Sequence, residues 1–86
     1  MSKYFRLGIY TQLKTVFEGD ASIVSAPGSA GYLQVMADHA PIVVSLIKGR
    51  VTFKDRLGKT ITFDIEGKGT LEVLKNNVTL LLENVL

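Results

Sequence analysis

One histidine, no cysteine and eight carboxylates limit the chemistry open to this 86-residue chain. His39 stands in Ala37-Asp38-His39-Ala40-Pro41, and Asp38 is the only carboxylate within four residues of it. A general base needs a nucleophile and an orienting group within reach. Neighbours in extended chain point to opposite sides, so Asp38 orients His39 only if the loop turns between them. The preferred reading is a loop histidine whose ring bonds backbone or packs on a partner, with no catalytic residue and no cofactor. Scattered carboxylates around one histidine supply no first shell, and no metal is expected. Gly28-Ser29-Ala30-Gly31 invites comparison with a phosphate loop, but such a loop continues into Lys-Ser/Thr and opens a helix. Here Tyr32-Leu33-Gln34-Val35-Met36 follows and reads as a strand, which makes the glycines a turn. Glu66-Gly67-Lys68-Gly69 is read as a turn for the same reason. Tyr4, Arg6 and Tyr10 form the one aromatic and cationic set that could stack single-stranded bases. The ten cations run from Lys3 to Lys75 without clustering and leave a net charge of +2, which argues against a nucleic-acid stripe.

The elements that would position these residues are strands. Nine Val, six Ile and seven Thr enrich the chain in β-branched residues, and all eight Gly and both Pro fall before residue 70. The intervals between them suit strands and turns better than helices. Phe5, Leu7 and Ile9 alternate with Tyr4, Arg6 and Tyr10, the period of a half-buried strand. Val51 and Phe53, then Ile61, Phe63 and Ile65, repeat it on either side of Asp55-Arg56-Leu57-Gly58 and predict a hairpin. Asn76-Asn77 predicts a second hairpin between Leu71/Val73 and Val78/Leu80/Leu82. Segments 13–17, 21–26, 32–36 and 43–47 are shorter strands. Residues 70–86 also fit a helical spacing, but Asn76-Asn77 and the β-branched residues beside them favour strand. The expectation is one all-β domain over residues 1–86, a flattened antiparallel sandwich or barrel of nine or ten short strands. Its 47% apolar content is that of a folded, soluble domain; no run approaches a membrane span and no signal peptide is visible at the start.

Such a domain has more apolar residues than one core can take. Leu81 falls on the face of Thr79 and Glu83, Leu74 is surplus beside Val73, and one of Val43 and Val44 must point away from the core. Several together suggest a docking face, and a binding module is favoured over an enzyme. A small β-barrel binding peptide or single-stranded nucleic acid is the alternative reading.

The order of the motifs narrows this further. A first strand ending in Thr11, then Val16-Phe17-Glu18-Gly19, Ile23-Val24, the Gly28 to Gly31 loop, His39-Ala40-Pro41, Gly49-Arg50-Val51, Gly69-Thr70-Leu71-Glu72-Val73 and Asn77-Val78-Thr79 follow one another. This series resembles the epsilon subunit of F-type ATP synthase over essentially the whole chain. The resemblance implies a ten-stranded amino-terminal β-sandwich at the foot of the central stalk. There it binds the gamma subunit and the c-ring and turns with them, coupling proton-driven rotation to ATP synthesis without chemistry of its own. It implies a peripheral position on the cytoplasmic face of the bacterial energy-coupling membrane, or the organellar equivalent, with membrane contact only through the c-ring. By motif position, Ser29, Ala30, Gly31 and Tyr32 would lie toward the c-ring loops. Asp38, His39 and Pro41 would lie near the junction of gamma and c, and Thr11 and Val44 would meet gamma. The chain departs from the usual family pattern at Gln12-Leu13, Gln34 and Glu66-Gly67-Lys68-Gly69. Most members continue into a carboxy-terminal helical hairpin that inhibits ATP hydrolysis, whereas this chain stops at Leu86; a complete chain of this length would lack that regulation.

Overall fold

The computed structural model describes residues 2–86, which form seven strands and no helix. They are β1 (Phe5–Tyr10), β2 (Thr15–Gly28), β3 (Gly31–Met36), β4 (Ile42–Leu46), β5 (Gly49–Asp55), β6 (Thr60–Leu74) and β7 (Asn77–Val85). Alternation decides which faces are buried: Phe5, Leu7 and Ile9 of β1, Val51 and Phe53 of β5, Leu71 and Val73 of β6, and Val78, Leu80 and Leu82 of β7 all point inward. Side chains of this kind contribute roughly 1.5–3 kcal/mol each when fully buried. No charged or polar residue is buried among the described residues.

A single hydrogen-bonded sheet folds over on itself to enclose this core. One layer runs β4, the later half of β6, β7, β1 and the early half of β2; the other runs β3, the later half of β2, β5 and the early half of β6. The two long strands therefore belong to both layers. β2 passes between them near Ala21–Ile23, where its register against β5 shifts. β6 passes between them at Glu66–Gly69, where its register against β7 shifts.

These passages account for the differences from the sequence expectation. The segments 13–17 and 21–26 fuse into β2, and the segments before and after Glu66-Gly67-Lys68-Gly69 fuse into β6, so nine or ten short strands become seven. Glu66-Gly67-Lys68-Gly69 is a bulge rather than a turn: Gly67 and Lys68 face Glu83 alone, and Gly67 takes φ +87, a conformation open to glycine. The Glu83 carboxylate accepts the freed Lys68 N–H at 2.6 Å. The sandwich is also not wholly antiparallel, because β1 and β7 pair in parallel, Leu7 against Val78 and Ile9 against Leu80. In the last hairpin the left-handed residues are Lys75 (φ 49) and Asn76 (φ 62), one position earlier than the Asn76-Asn77 pair. That places Leu71 opposite Leu80 and Val73 opposite Val78, with all four inward.

Candidate docking face

The outward side of the layer containing β4, β6, β7 and β1 carries the surplus apolar residues Leu81, Val43 and Leu74, one in each of three cross-strand rows. Ser45, Thr70, Leu81 and Tyr10 lie opposite one another across those four strands. The neighbouring row is Val43, Glu72, Thr79 and Gly8. Val43 is 69% exposed, Leu81 56% and Leu74 52%. A shallow groove lined by Tyr10, Thr11, Ser45, Thr70 and Leu81 occupies one end of this face, and a second depression between Pro41, Val43, Glu72 and Leu74 occupies the other. Of the adjacent valines it is Val43 that points out. Val44 turns inward, packs against the core and lies over Gly28, which leaves its side chain half-buried.

Tyr10 shapes the groove floor. Its ring folds back along β1 over Gly8, where any added Cβ would meet the ring 2.6–2.9 Å away. Its hydroxyl donates to Glu18 Oε2 at 2.7 Å, and that hydrogen bond, with the carboxylate charge, holds the phenol above its ordinary pKa. Tyr4 is covered by the Arg56 guanidinium, 5.4 Å from its ring centre, and Arg56 is paired with Asp20 at 3.1 Å. Tyr4 and Tyr10 are thus each engaged within the domain, and the nucleic-acid reading is not favoured.

Thr11 forms the β1–β2 turn from within. Its Oγ1 accepts the N–H groups of Leu13 and Lys14, each at 3.2 Å, and its own N–H donates to the Lys14 carbonyl at 2.9 Å. This arrangement leaves Leu13, at 95% exposure, on the tip of the turn beside the groove. Sequence reading singled out Thr11 and passed over Leu13, because nothing in a single apolar residue says that its turn leaves it bare.

Ser29 and Ala30 form the tip of the β2–β3 hairpin and Gly31 and Tyr32 begin β3, all of them exposed. The Ser29 N–H donates to the Ser45 carbonyl at 2.9 Å, and Ile47 N–H donates to Pro27 O at 2.9 Å, so the hairpin end is stitched to β4. The Tyr32 hydroxyl accepts the Arg50 backbone N–H at 3.0 Å, and the Arg50 guanidinium donates to Asp64 at 3.1 Å, a hydrogen bond and charge that raise its pKa. The other predicted group sits at the far end of β3, a strand of this length spanning ~17–20 Å. Asp38 turns left-handed, at φ 65, and its carboxylate accepts the Ser2 N–H at 2.8 Å instead of meeting His39. The His39 ring is half-buried, with Nδ1 2.6 Å from the Ala40 carbonyl, and Ala40 and Pro41 are exposed. The predicted residues thus fall into two groups, Thr11 with Ser29–Tyr32 at one end and Asp38–Pro41 at the other, joined by the apolar face along β4. Among the described residues no three His, Asp or Glu side chains converge where a metal could be held.

A small closed β-sandwich with exposed apolar residues on the outer face of one layer is the class that this fold defines. Residues 4–86 match the family model of the ATP synthase delta/epsilon chain β-sandwich domain. The ATP synthase epsilon chain of Chlorobium limicola is 40% identical over 83 residues, 96% of this chain and 93% of that one. That of Desulfosudis oleivorans is 37% identical over 84 residues, 98% of this chain but 62% of that one. Among solved structures, a chain of the Euglena gracilis mitochondrial ATP synthase OSCP/F1/c-ring assembly superposes on the whole of this chain with a TM-score of 0.90 at 17% identity, over 54% of its own length. A chain of the Tetrahymena thermophila mitochondrial ATP synthase central stalk and c-ring gives 0.79 at 14% identity, covering 94% of this chain and 64% of its own. The chain belongs to the ATP synthase delta/epsilon chain family, and what its members share with it is the β-sandwich domain.

Proposed function

We propose that this chain is a non-catalytic rotor subunit of an F-type ATP synthase, held at the foot of the central stalk and turning with it. The observation that carries the reading, in a member of this family, is the outward face of β4, β6, β7 and β1. Three of these strands, β4, β6 and β7, place Val43, Leu74 and Leu81 on one exposed side of a domain that has a separate buried core. That strip, flanked by Thr11 and Leu13 at one end and His39 and Pro41 at the other, is the surface for gamma. The hairpin tip Ser29–Tyr32, at the groove end, is the surface for the c-ring loops. The strip and the hairpin tip adjoin at the groove end, where Ser29 is hydrogen-bonded to Ser45, so a single rigid sandwich can hold both bodies at once. In this role the chain is peripheral to the energy-coupling membrane on its cytoplasmic side and reaches the bilayer only through the c-ring.

Coupling tests this reading in membranes whose ATP synthase carries variants of this chain. Rewriting the Ser29-Ala30 tip and replacing His39 should lower proton-driven ATP synthesis severalfold while the purified variants keep the thermal midpoint of the parent. Normal coupling with both regions rewritten would overturn it.

A further inference from the structure

We infer that Asn76 is a positioning residue for the Asp38–Pro41 corner. This rests on the reading that the corner docks on a partner. The β6–β7 turn alone does not require asparagine. Two left-handed residues in succession, Lys75 and Asn76, make a turn that glycine serves as well or better. What glycine lacks is the side-chain amide, and here both of its polar atoms are engaged. Oδ1 accepts the Asp38 N–H at 2.9 Å, and Nδ2 donates to the Tyr4 carbonyl at 2.8 Å. The two partners fix the orientation of the amide, because exchanging its ends would set donor against donor and acceptor against acceptor.

The amide therefore ties the β3–β4 connection to the approach of β1, bridging residues 38 and 72 positions away. The Ser2 N–H on the Asp38 carboxylate closes the same corner from the amino-terminal side. Asp38, Lys75 and Asn76 are the non-glycine residues of positive φ among those described, and all three belong to this cluster. A left-handed aspartate is held only where its surroundings fix it. Its turn sets the direction in which His39, Ala40 and Pro41 leave the sandwich. Asn76 itself is half-buried and lies behind that segment, so it acts by aiming the corner.

The test compares the full chain with Asn76→Gly, which keeps the turn and removes the amide, and with Asn76→Asp, which keeps an acceptor for Asp38 and loses the donor. Exchange of the Asp38 amide hydrogen should be about tenfold faster in Asn76→Gly and close to the parent in Asn76→Asp. Affinity for purified gamma subunit should fall by about fivefold to tenfold in Asn76→Gly, with thermal midpoints compared alongside. In a His39→Ala, Pro41→Ala background the same substitution should cost no further affinity, because the aimed groups are gone. An unchanged Asp38 exchange rate in Asn76→Gly, or an equal further loss of affinity in that background, would overturn the inference. If His39→Ala, Pro41→Ala alone left the affinity for gamma unchanged, the docking reading would fall, while Asp38 exchange would still decide whether Asn76 holds the corner.

Discussion

Single side chains decide where polar groups go once strands are in place. Tyr10 illustrates this: it lies on the docking face, yet its hydroxyl is committed to Glu18 and its ring to the backbone of Gly8. Because the folded phenol has its pKa raised above the unfolded value of 10.0, the stability it contributes is fully present below that value and is lost as the pH rises through the higher folded pKa. Glu18→Gln should move the Tyr10 pKa down, which an NMR titration of tyrosine ring carbons would show; an unmoved value would mean that the carboxylate does not hold the phenol. At this scale the sequence was informative about residue type and silent about direction. His39 was legible as a loop residue whose ring bonds backbone or packs on a partner, and in the isolated chain Nδ1 lies against the Ala40 carbonyl. That Asp38 would turn left-handed toward Ser2, and that Val44 would turn inward against Leu71 and leave Val43 facing out, depend on partners 36 and 27 residues away. No local pattern carries those.

At the scale of elements, period-two alternation located the strands and the hairpin chemistry located most of their ends. Both hairpins expected from Asp55–Gly58 and from the asparagine pair are present. Glycine marks the end of an element in a sequence pattern, but β6 uses Gly67 to let one strand serve two layers, and β2 makes the same passage at Ala21–Ile23 without a glycine. Gly67→Ala should destabilise the fold by ~1–2 kcal/mol, the penalty of a left-handed alanine. Equilibrium urea unfolding would measure it, and no loss would mean that the bulge can relax into regular pairing. Leu71 stands opposite Val44 on one side and Leu80 on the other and is fully buried. Leu71→Ala should cost ~2–5 kcal/mol by the same measurement. The parallel pairing of β1 with β7 had no local signal at all, since it joins the two ends of the chain.

The whole molecule is a sandwich whose inner side is saturated with apolar residues and whose outer side still carries several. That imbalance, rather than any reactive group, is what links this structure to the role proposed for it. It was visible in the sequence as a surplus at Leu74, Leu81 and the Val43-Val44 pair, before any strand register was known. Exposed residues contribute little to the stability of the isolated domain, so polar substitution at Val43 and Leu81 should leave the unfolding free energy within about 0.5 kcal/mol of the parent. Binding should respond quite differently, because apolar anchors at the centre of an interface carry most of its energy. The most direct measurement is a calorimetric titration of purified gamma subunit with the full chain and with its Val43→Asp, Leu81→Asp variant. The account predicts a one-to-one complex for the parent and an affinity at least tenfold weaker for the variant, at about 1.4 kcal/mol per tenfold. Equal affinity in a variant that remains folded would contradict it and remove the outward face from the interface.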